Sequence, residues 1–187
     1  MVNRTGTYVA FDGLGETDPT KSDFKYYATL QAWAENKDIE FNITNSHEKA
    51  SAVRDTSKKA TLEKSIMERL RGSKNMLVVL SDDTRNSGSM LSFEIEKAVD
   101  LYELPLIIAY VGYEYVINVD AFSKLWNPKE LRKKIEDNVV KAIHIPFKKE
   151  PILDAINQFT VNSDAKLTSS KNYYNLDAYK QWGLFKQ

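Results

Sequence analysis

The sequence predicts an α/β protein with a doubly wound parallel sheet, and two observations lead to this prediction. Short apolar runs alternate along the chain with segments of helical periodicity, which is the order expected of right-handed β-α-β crossovers. Two of the runs, residues 75–80 and 105–111, contain the continuously apolar stretches MLVVL and LIIAYV, as in strands buried on both faces of a sheet. The chain of 187 residues is long enough for one domain with a modest extension.

Five apolar runs are the candidate strands. In chain order they are residues 7–11, 39–43, 75–80, 105–111 and 141–147. The outer runs mix polar with apolar residues, as expected of strands nearer the edges of a sheet. We therefore expect the run at 75–80 to lie centrally and the run at 39–43 to lie at an edge.

Helical segments lie between these runs, and one more follows the last run. They are residues 23–36, 58–71, 91–103, 128–139 and 151–159. Asp23 or Ser22 is the candidate cap of the first, Gly72 ends the second, and Pro128 opens the fourth in a favoured first-turn position. Beyond residue 147 we expect no further strand, only a short helix, a polar stretch at 162–172 and an aromatic tail at 173–187 that packs on its own domain.

Composition excludes several classes of site. The chain has no cysteine and only two histidines, His47 and His144, so disulfides, thiolate catalysis and multi-histidine metal centres are excluded. His144 alternates with apolar neighbours and is expected to be a packed strand residue. Acidic and basic residues number 26 each, which argues against non-specific binding to nucleic acid or anionic membranes. With no signal-peptide pattern and no apolar run near ~20 residues, we expect a cytoplasmic protein that binds neither nucleic acid nor membranes.

Three loops should meet at the carboxyl ends of the strands, where open α/β sheets bind ligands. They are residues 12–22, 44–57 and 81–90, all rich in Gly, Ser, Asn, Asp and Thr. Such a composition is also common in exposed loops that bind nothing. Asp12, at the end of the first strand, either binds ribose hydroxyls or caps the loop that follows it.

One carboxylate is out of place in the helical segment 91–103. Projected at roughly 100° per residue, Glu94 falls among apolar side chains such as Ile95 and Leu101, while Glu96 lies on the polar side. Glu94 also sits in the first helical turn, where backbone N–H groups favour an anion. It either points over the end of the sheet into a cleft, or caps its own helix or pairs with a lysine. Geometry alone leaves both interpretations open.

These residues resemble the TIR-like family of bacterial proteins, and within it the TIR proteins of the Thoeris antiphage defence system. The resemblance begins at residues 8–12 (YVAFD), continues through 73–75 (SKN) into MLVVLSDDT, and is most specific at 89–98 (SMLSFEIEKA). It covers about residues 5–147. There are two departures: Ala10 stands where many TIR domains have Ser, and Met90 stands where Trp is frequent.

The resemblance implies a flavodoxin-like fold whose five-stranded parallel sheet has the order 2-1-3-4-5. It places a TIR-like domain at residues 1–147 and a short C-terminal helical extension at residues 148–187.

The resemblance also implies an activity. NAD would be bound as a substrate, not as a resident cofactor, and Glu94 would cleave its nicotinamide–ribose bond without a metal. Phe11 would pack against a ring or the ribose, Asp12 and Ser46 would supply hydrogen bonds, and Ser81 would line the cleft. Nicotinamide leaves as a neutral molecule, so a single carboxylate beside the ribosyl cation suffices for the chemistry.

In the Thoeris context the product would be a cyclic ADP-ribose-type signal, made after an infection-derived trigger and activating a separate effector protein. Two alternatives remain: an interaction module working through TIR–TIR self-association, and a sensor that binds NAD-derived nucleotides without cleaving them. An interaction module has no need of a carboxylate among the apolar side chains of its third helix, which favours the enzyme.

Overall fold

The computed structural model describes residues 4–13, 23–35, 41–44, 56–85 and 90–185. Within these residues an all-parallel sheet has the order β2-β1-β3-β4-β5-β6. The strands are β1 (Gly6–Ala10), β2 (Ile43–Thr44), β3 (Ser73–Leu80), β4 (Leu106–Tyr110), β5 (Ala142–Pro146) and β6 (Asn172–Tyr173). The first five strands follow the order 2-1-3-4-5, with β3 inside the sheet and β2 at an edge, as the sequence predicted. The start of the predicted run at 39–43 lies outside the described residues.

Helices connect the strands and extend the chain beyond them. They are α1 (Phe24–Ala34), α2 (Thr56–Arg71), α3 (Leu91–Asp100), α4 (Lys129–Glu136), α5 (Lys149–Gln158) and α6 (Leu176–Gln181), with a 3-10 segment at Val119–Leu125. The ends of α1 to α5 differ from the predicted segments by at most three residues. The 3-10 segment and α6 were not predicted.

The sheet is covered on both faces, as expected of a doubly wound fold. Successive side chains of a strand point to opposite faces, so Tyr8 and Ala10 join one apolar cluster while Val9 and Phe11 join the other. Residues of α2, α3 and α4 belong to the first cluster, and residues of α1 and α5 belong to the second. The structure is therefore an α/β flavodoxin-like sandwich of helices around a parallel sheet.

The prediction that no strand follows residue 147 was wrong. Asn172–Tyr173 adds to the sheet beside β5, in register with Ile143 and His144. The side-chain amide of Asn172 donates hydrogen bonds to the carbonyls of Ala142 (2.9 Å) and Ser169 (2.7 Å). This strand is two residues long and is held by side-chain hydrogen bonds, so it contains no apolar run. For that reason the sequence pattern did not predict it.

Leu101 also departs from its prediction, because it is 53% exposed and not part of the buried face of α3. The helix ends at Asp100, and Glu103 then adopts a left-handed backbone with a φ of 53°. The N–H of Leu104 donates to the carbonyl of Ala98 at 2.9 Å. The chain thus turns towards β4 directly after the helix and leaves Leu101 at the surface.

His144 is a packed strand residue, as predicted, and belongs to a buried chain of hydrogen bonds. The indole N–H of Trp126 donates to Tyr110 Oη (2.8 Å), Tyr110 Oη lies 2.7 Å from His144 Nδ1, and His144 Nε2 lies 2.8 Å from the Ser170 carbonyl. A carbonyl only accepts, so Nε2 carries the proton and Tyr110 donates to Nδ1. Burial lowers the pKa of His144 to about 4, so the ring is neutral at neutral pH.

The aromatic tail packs on its own domain, as expected. Tyr179 is fully buried, and its hydroxyl donates to the carbonyl of Val116 at 3.1 Å. The rings of Tyr174 and Trp182 lie 6.4 and 5.8 Å from the Tyr179 ring. Among the described residues, none of the helices combines the length and apolar character that crossing a membrane requires.

Candidate active site

Glu94 lies on the buried face of α3 with an exposure of 0%, which confirms its predicted position among the apolar side chains. Its carboxylate Oε1 accepts a 2.6 Å hydrogen bond from the hydroxyl of Tyr8 in β1. Burial raises the pKa of Tyr8 well above its usual value, and the neighbouring Glu94 charge and hydrogen bond raise it further. Tyr8 therefore stays protonated and acts as a donor to the carboxylate.

The packing of α3 on the sheet fixes this pair. Tyr8 and Glu94 lie in the same layer, because Tyr8 points from β1 towards the face that α3 covers with Leu91, Ile95 and Ala98. Arg69 of α2 is a nearby cation, close enough for its charge to lower the pKa of Tyr8 against the effects of burial and of Glu94. A buried carboxylate exerts a stronger field on a nearby positive charge than one in water does. The arrangement is suited to stabilising a cation that forms beside it.

Phe11 lies on the other face of the sheet and is 5% exposed. Its ring stacks on Tyr27 with centroids 5.2 Å apart and meets Phe24 edge to face at 5.6 Å. The structure thus places Phe11 in the packing of α1 on the sheet, away from the Tyr8–Glu94 pair. Its contact with a substrate ring stays a prediction.

Asp12 is buried just beyond the end of β1 and holds Arg85, which follows β3. Asp12 Oδ2 accepts hydrogen bonds from the backbone N–H (3.0 Å) and Nε (2.9 Å) of Arg85, and Oδ1 accepts one from Nη2 (2.7 Å). These bonds raise the pKa of Arg85, so the pair is ionic. The fork geometry fastens the loop after β3 to the end of β1. A ribose contact for Asp12 stays a prediction.

Ser81 belongs to a second buried cluster at the same end of the sheet. Its hydroxyl donates to Asp23 Oδ1 at 2.5 Å, and the hydroxyl of Thr84 donates to Asp23 Oδ2 at 3.2 Å. The Thr84 hydroxyl in turn accepts the backbone N–H of Ser81 at 2.9 Å. Burial raises the pKa of Asp23 to about 6, against the opposing effect of the two hydroxyl donors.

Asp23 occupies the cap position of α1, as predicted, but its side chain does not cap the helix. Its carboxylate instead joins α1 to the loop after β3. Of the predicted site residues, the structure therefore brings Asp12 and Ser81 to neighbouring clusters, and Asp12 is close enough for its charge to raise the pKa of Asp23. Ser46 lies outside the described residues.

Sequence reasoning missed Tyr8, Asp23, Thr84 and Arg85. Arg85 had a detectable signal, because it is the sole cation of residues 81–90.

The two clusters lie at the carboxyl ends of β1 and β3, between which the strand order reverses. Ligands of open α/β sheets bind at this switch point. Among the described residues, no group of three or more Asp, Glu or His side chains is placed to hold a metal ion.

A family model for the TIR-like domain of the Thoeris protein ThsB matches residues 8–115. The matched span is more than half of the chain and contains Tyr8, Asp12, Arg85 and Glu94. The chain belongs to the Thoeris ThsB TIR-like family. The parallel sheet with helices on both faces is the TIR-like fold that the sequence predicted.

The Thoeris TIR-like match ends before β5. The elements that follow it still join the same layers, since α5 packs into the second apolar cluster and β6 extends the sheet. The predicted division between residues 1–147 and 148–187 stays a prediction. The extension contains β6 as well as helices, so it is not purely helical.

Proposed function

We propose that this Thoeris TIR protein cleaves NAD at the nicotinamide–ribose bond and makes a cyclic ADP-ribose-type signal that activates a separate effector. The observation that carries the proposal is the fully buried Glu94 carboxylate in the first turn of α3, held by Tyr8 Oη at 2.6 Å. Membership in the Thoeris TIR-like family supports the substrate and the defence role.

The proposed reaction needs one negative charge and no acid catalyst. The bond between ribose C1′ and the nicotinamide nitrogen breaks, and its electron pair leaves with nicotinamide, which becomes neutral. The ribosyl group is left as an oxocarbenium-like cation, which the Glu94 carboxylate stabilises. Capture of C1′ by a nucleophilic atom of the same molecule, with loss of its proton if it carries one, closes the ring. Capture by water gives ADP-ribose instead.

Tyr8 is proposed to hold the carboxylate in place during this step. Its hydroxyl fixes the position of Oε1, and its raised pKa keeps the donor proton on Tyr8. Because Glu94 is fully buried, the proposal requires that the binding of NAD open a path to the carboxylate. The Asp12–Arg85 and Asp23–Ser81 contacts set the position of the loop after β3, whose chain leads into α3.

The experiment is nucleotide extraction from infected cells that express the chain, followed by mass spectrometry. We expect free nicotinamide and a cyclic ADP-ribose isomer after infection with the wild-type chain, and neither with Glu94→Gln at an equal protein level. Protection without loss of NAD or formation of a product would contradict the enzyme and favour the interaction module. NAD recovered unchanged on the purified protein would favour the sensor.

A further inference from the structure

A concave site lies at the amino ends of the strands, opposite the end that carries the Asp12 and Ser81 clusters. It is a cavity of about 360 Å³ lined by Pro105 and Lys141, which directly precede β4 and β5. The turn after α3 and the segment after α5 form its other walls. A cavity of this size falls in the range of small-molecule sites.

Hydrogen bonds hold the far wall of this cavity in place. The N–H of Val161 donates to the carbonyl of Lys74 at 2.9 Å, and the side-chain amide of Asn162 donates to the carbonyl of Arg4 at 2.8 Å. The segment after α5 is thereby fastened to the starts of β1 and β3. The cavity is a built part of the fold, because it is closed by contacts between elements distant in the chain.

The charges that line the cavity are mostly positive. Arg4, Lys141 and Lys166 stand against one carboxylate, that of Glu103, in a chain whose net charge is zero. Arg4 Nη1 donates to the carbonyl of Tyr102 at 3.0 Å, and Lys141 Nζ donates to the carbonyl of Thr168 at 3.0 Å. Each of these cations has further N–H groups that a ligand can accept from. Three cations around one cavity attract an anion, and a phosphate suits them because it accepts several hydrogen bonds at once.

The rest of the lining is apolar and aromatic. Tyr102 and Phe159 contribute rings, and Leu101, 53% exposed, lies at the cavity although its sequence pattern placed it in the core. Leu101 follows the last residue of α3, and the chain adopts a left-handed backbone two residues later, at Glu103. One part of the cavity wall is therefore aromatic and another part is cationic. Such a wall is complementary to a ligand that has a flat aromatic ring and a negatively charged group.

We propose that this cavity binds a mononucleotide, with the base against Tyr102 and Phe159 and the phosphate against Arg4, Lys141 and Lys166. The site is separate from the one proposed for NAD, since the helical rise from Glu94 in the first turn of α3 to Leu101 at the cavity is roughly 10 Å. The proposal does not depend on NAD cleavage. It gives the C-terminal extension a function, because that segment supplies Phe159 and Lys166.

The experiment is an NMR titration of the full ¹⁵N-labelled chain with AMP, and separately with adenosine and with inorganic phosphate. We expect saturable shifts of the amides of Tyr102, Val161 and Leu167 with AMP, and affinities at least about tenfold weaker for each fragment. An absence of saturable shifts would overturn the proposal. So would shifts confined to the start of α3, or phosphate binding as tightly as AMP.

Charge-reversal variants test the role of the cations. We expect Lys141→Glu/Lys166→Glu to weaken AMP binding about tenfold or more. Lys166→Glu alone, at an exposed side chain, gives a smaller loss in the same direction and serves if the double variant unfolds. The matched control is Lys129→Glu, which reverses an exposed charge at the start of α4 outside the cavity. Equal weakening by the control would overturn the assignment of the phosphate to these lysines.

Discussion

The Tyr8–Glu94 hydrogen bond joins two side chains that would both be costly to bury alone. A buried carboxylate is tolerated only when hydrogen bonds or charges replace its lost hydration. Tyr8, which lies in β1, supplies one such bond: its hydroxyl oxygen is 2.6 Å from Glu94 Oε1. The pair therefore contributes to stability and, in the proposed mechanism, to the position of the reacting carboxylate.

Tyr8→Phe tests this pair. The variant keeps the ring and removes the donor, so we expect the free energy of unfolding to fall by about 1–3 kcal/mol and NAD cleavage to slow. Urea unfolding and nicotinamide release measure the two effects. Tyr113→Phe is the control, a half-buried ring that contacts Phe122 at 4.7 Å. If Tyr8→Phe matches the wild type in both assays, the hydrogen bond has neither role.

The raised pKa of Asp23 predicts how the stability of the protein depends on pH. Burial raises the pKa of Asp23 to about 6 in the folded chain, against an ordinary value of 3.8, so the folded state binds the proton more tightly. Its contribution to stability is therefore greatest at low pH and is lost as the pH rises from about 4 to 6. We expect the stability of Asp23→Asn relative to the wild type to rise by about 2–3 kcal/mol between pH 4 and pH 7. A difference that stays constant across these pH values would contradict the raised pKa.

At the scale of elements, the strands and helices of the sandwich were predictable because each has its own periodic signal. Strands buried on both faces need continuous apolar residues, and β3 and β4 show them. β6 gave no such signal, because two residues are held in the sheet by the Asn172 side chain and not by apolar burial. The 3-10 segment at Val119–Leu125 is likewise too short and irregular for a periodic pattern.

The candidate site was predictable in part for the same reason. Glu94 was found from helical periodicity, a property of ten neighbouring residues. Its partner Tyr8 is 86 residues away in sequence, Asp23 is 58 from Ser81, and Arg85 is 73 from Asp12. Contacts over such distances depend on the packing of whole elements, so no local pattern reveals them.

The tail gives a prediction at this scale. Tyr179→Ala empties a fully buried site and removes the hydrogen bond to Val116, so we expect a loss of about 3–5 kcal/mol and a melting temperature about 10 °C lower. Tyr173→Ala is the control, because its side chain is 49% exposed, and its cost should be much smaller. Thermal unfolding of both variants measures the difference. A Tyr179→Ala protein that melts at the same temperature as Tyr173→Ala and the wild type would contradict a stabilising role for the buried Tyr179 side chain.

At the scale of the whole molecule, the two ends of the sheet carry different chemistry. The carboxyl ends of β1 and β3 carry buried carboxylates bound to hydroxyls and to Arg85, next to the loop that leads to Glu94. The amino ends of β4 and β5 carry the cavity lined by cations and rings. Helix α3 spans the distance, with Glu94 in its first turn and Leu101 beyond its last.

The central claim is that Glu94 stabilises a ribosyl cation, and Glu94→Gln tests it most directly. The amide oxygen can still accept the Tyr8 hydroxyl, so we expect a melting temperature close to that of the wild type. Loss of the charge should lower nicotinamide release by about 10²- to 10³-fold. Glu96→Gln is the matched control, because Glu96 is partly exposed, pairs with Lys97 at 2.7 Å, and should be silent in both assays.

The measurement is the rate of nicotinamide release from NAD by wild-type, Glu94→Gln and Glu96→Gln proteins purified from infected cells, with the melting temperature of each preparation. The account predicts release by the wild type and Glu96→Gln, and a folded Glu94→Gln protein with almost none. A folded Glu94→Gln protein that releases nicotinamide at the wild-type rate would contradict it.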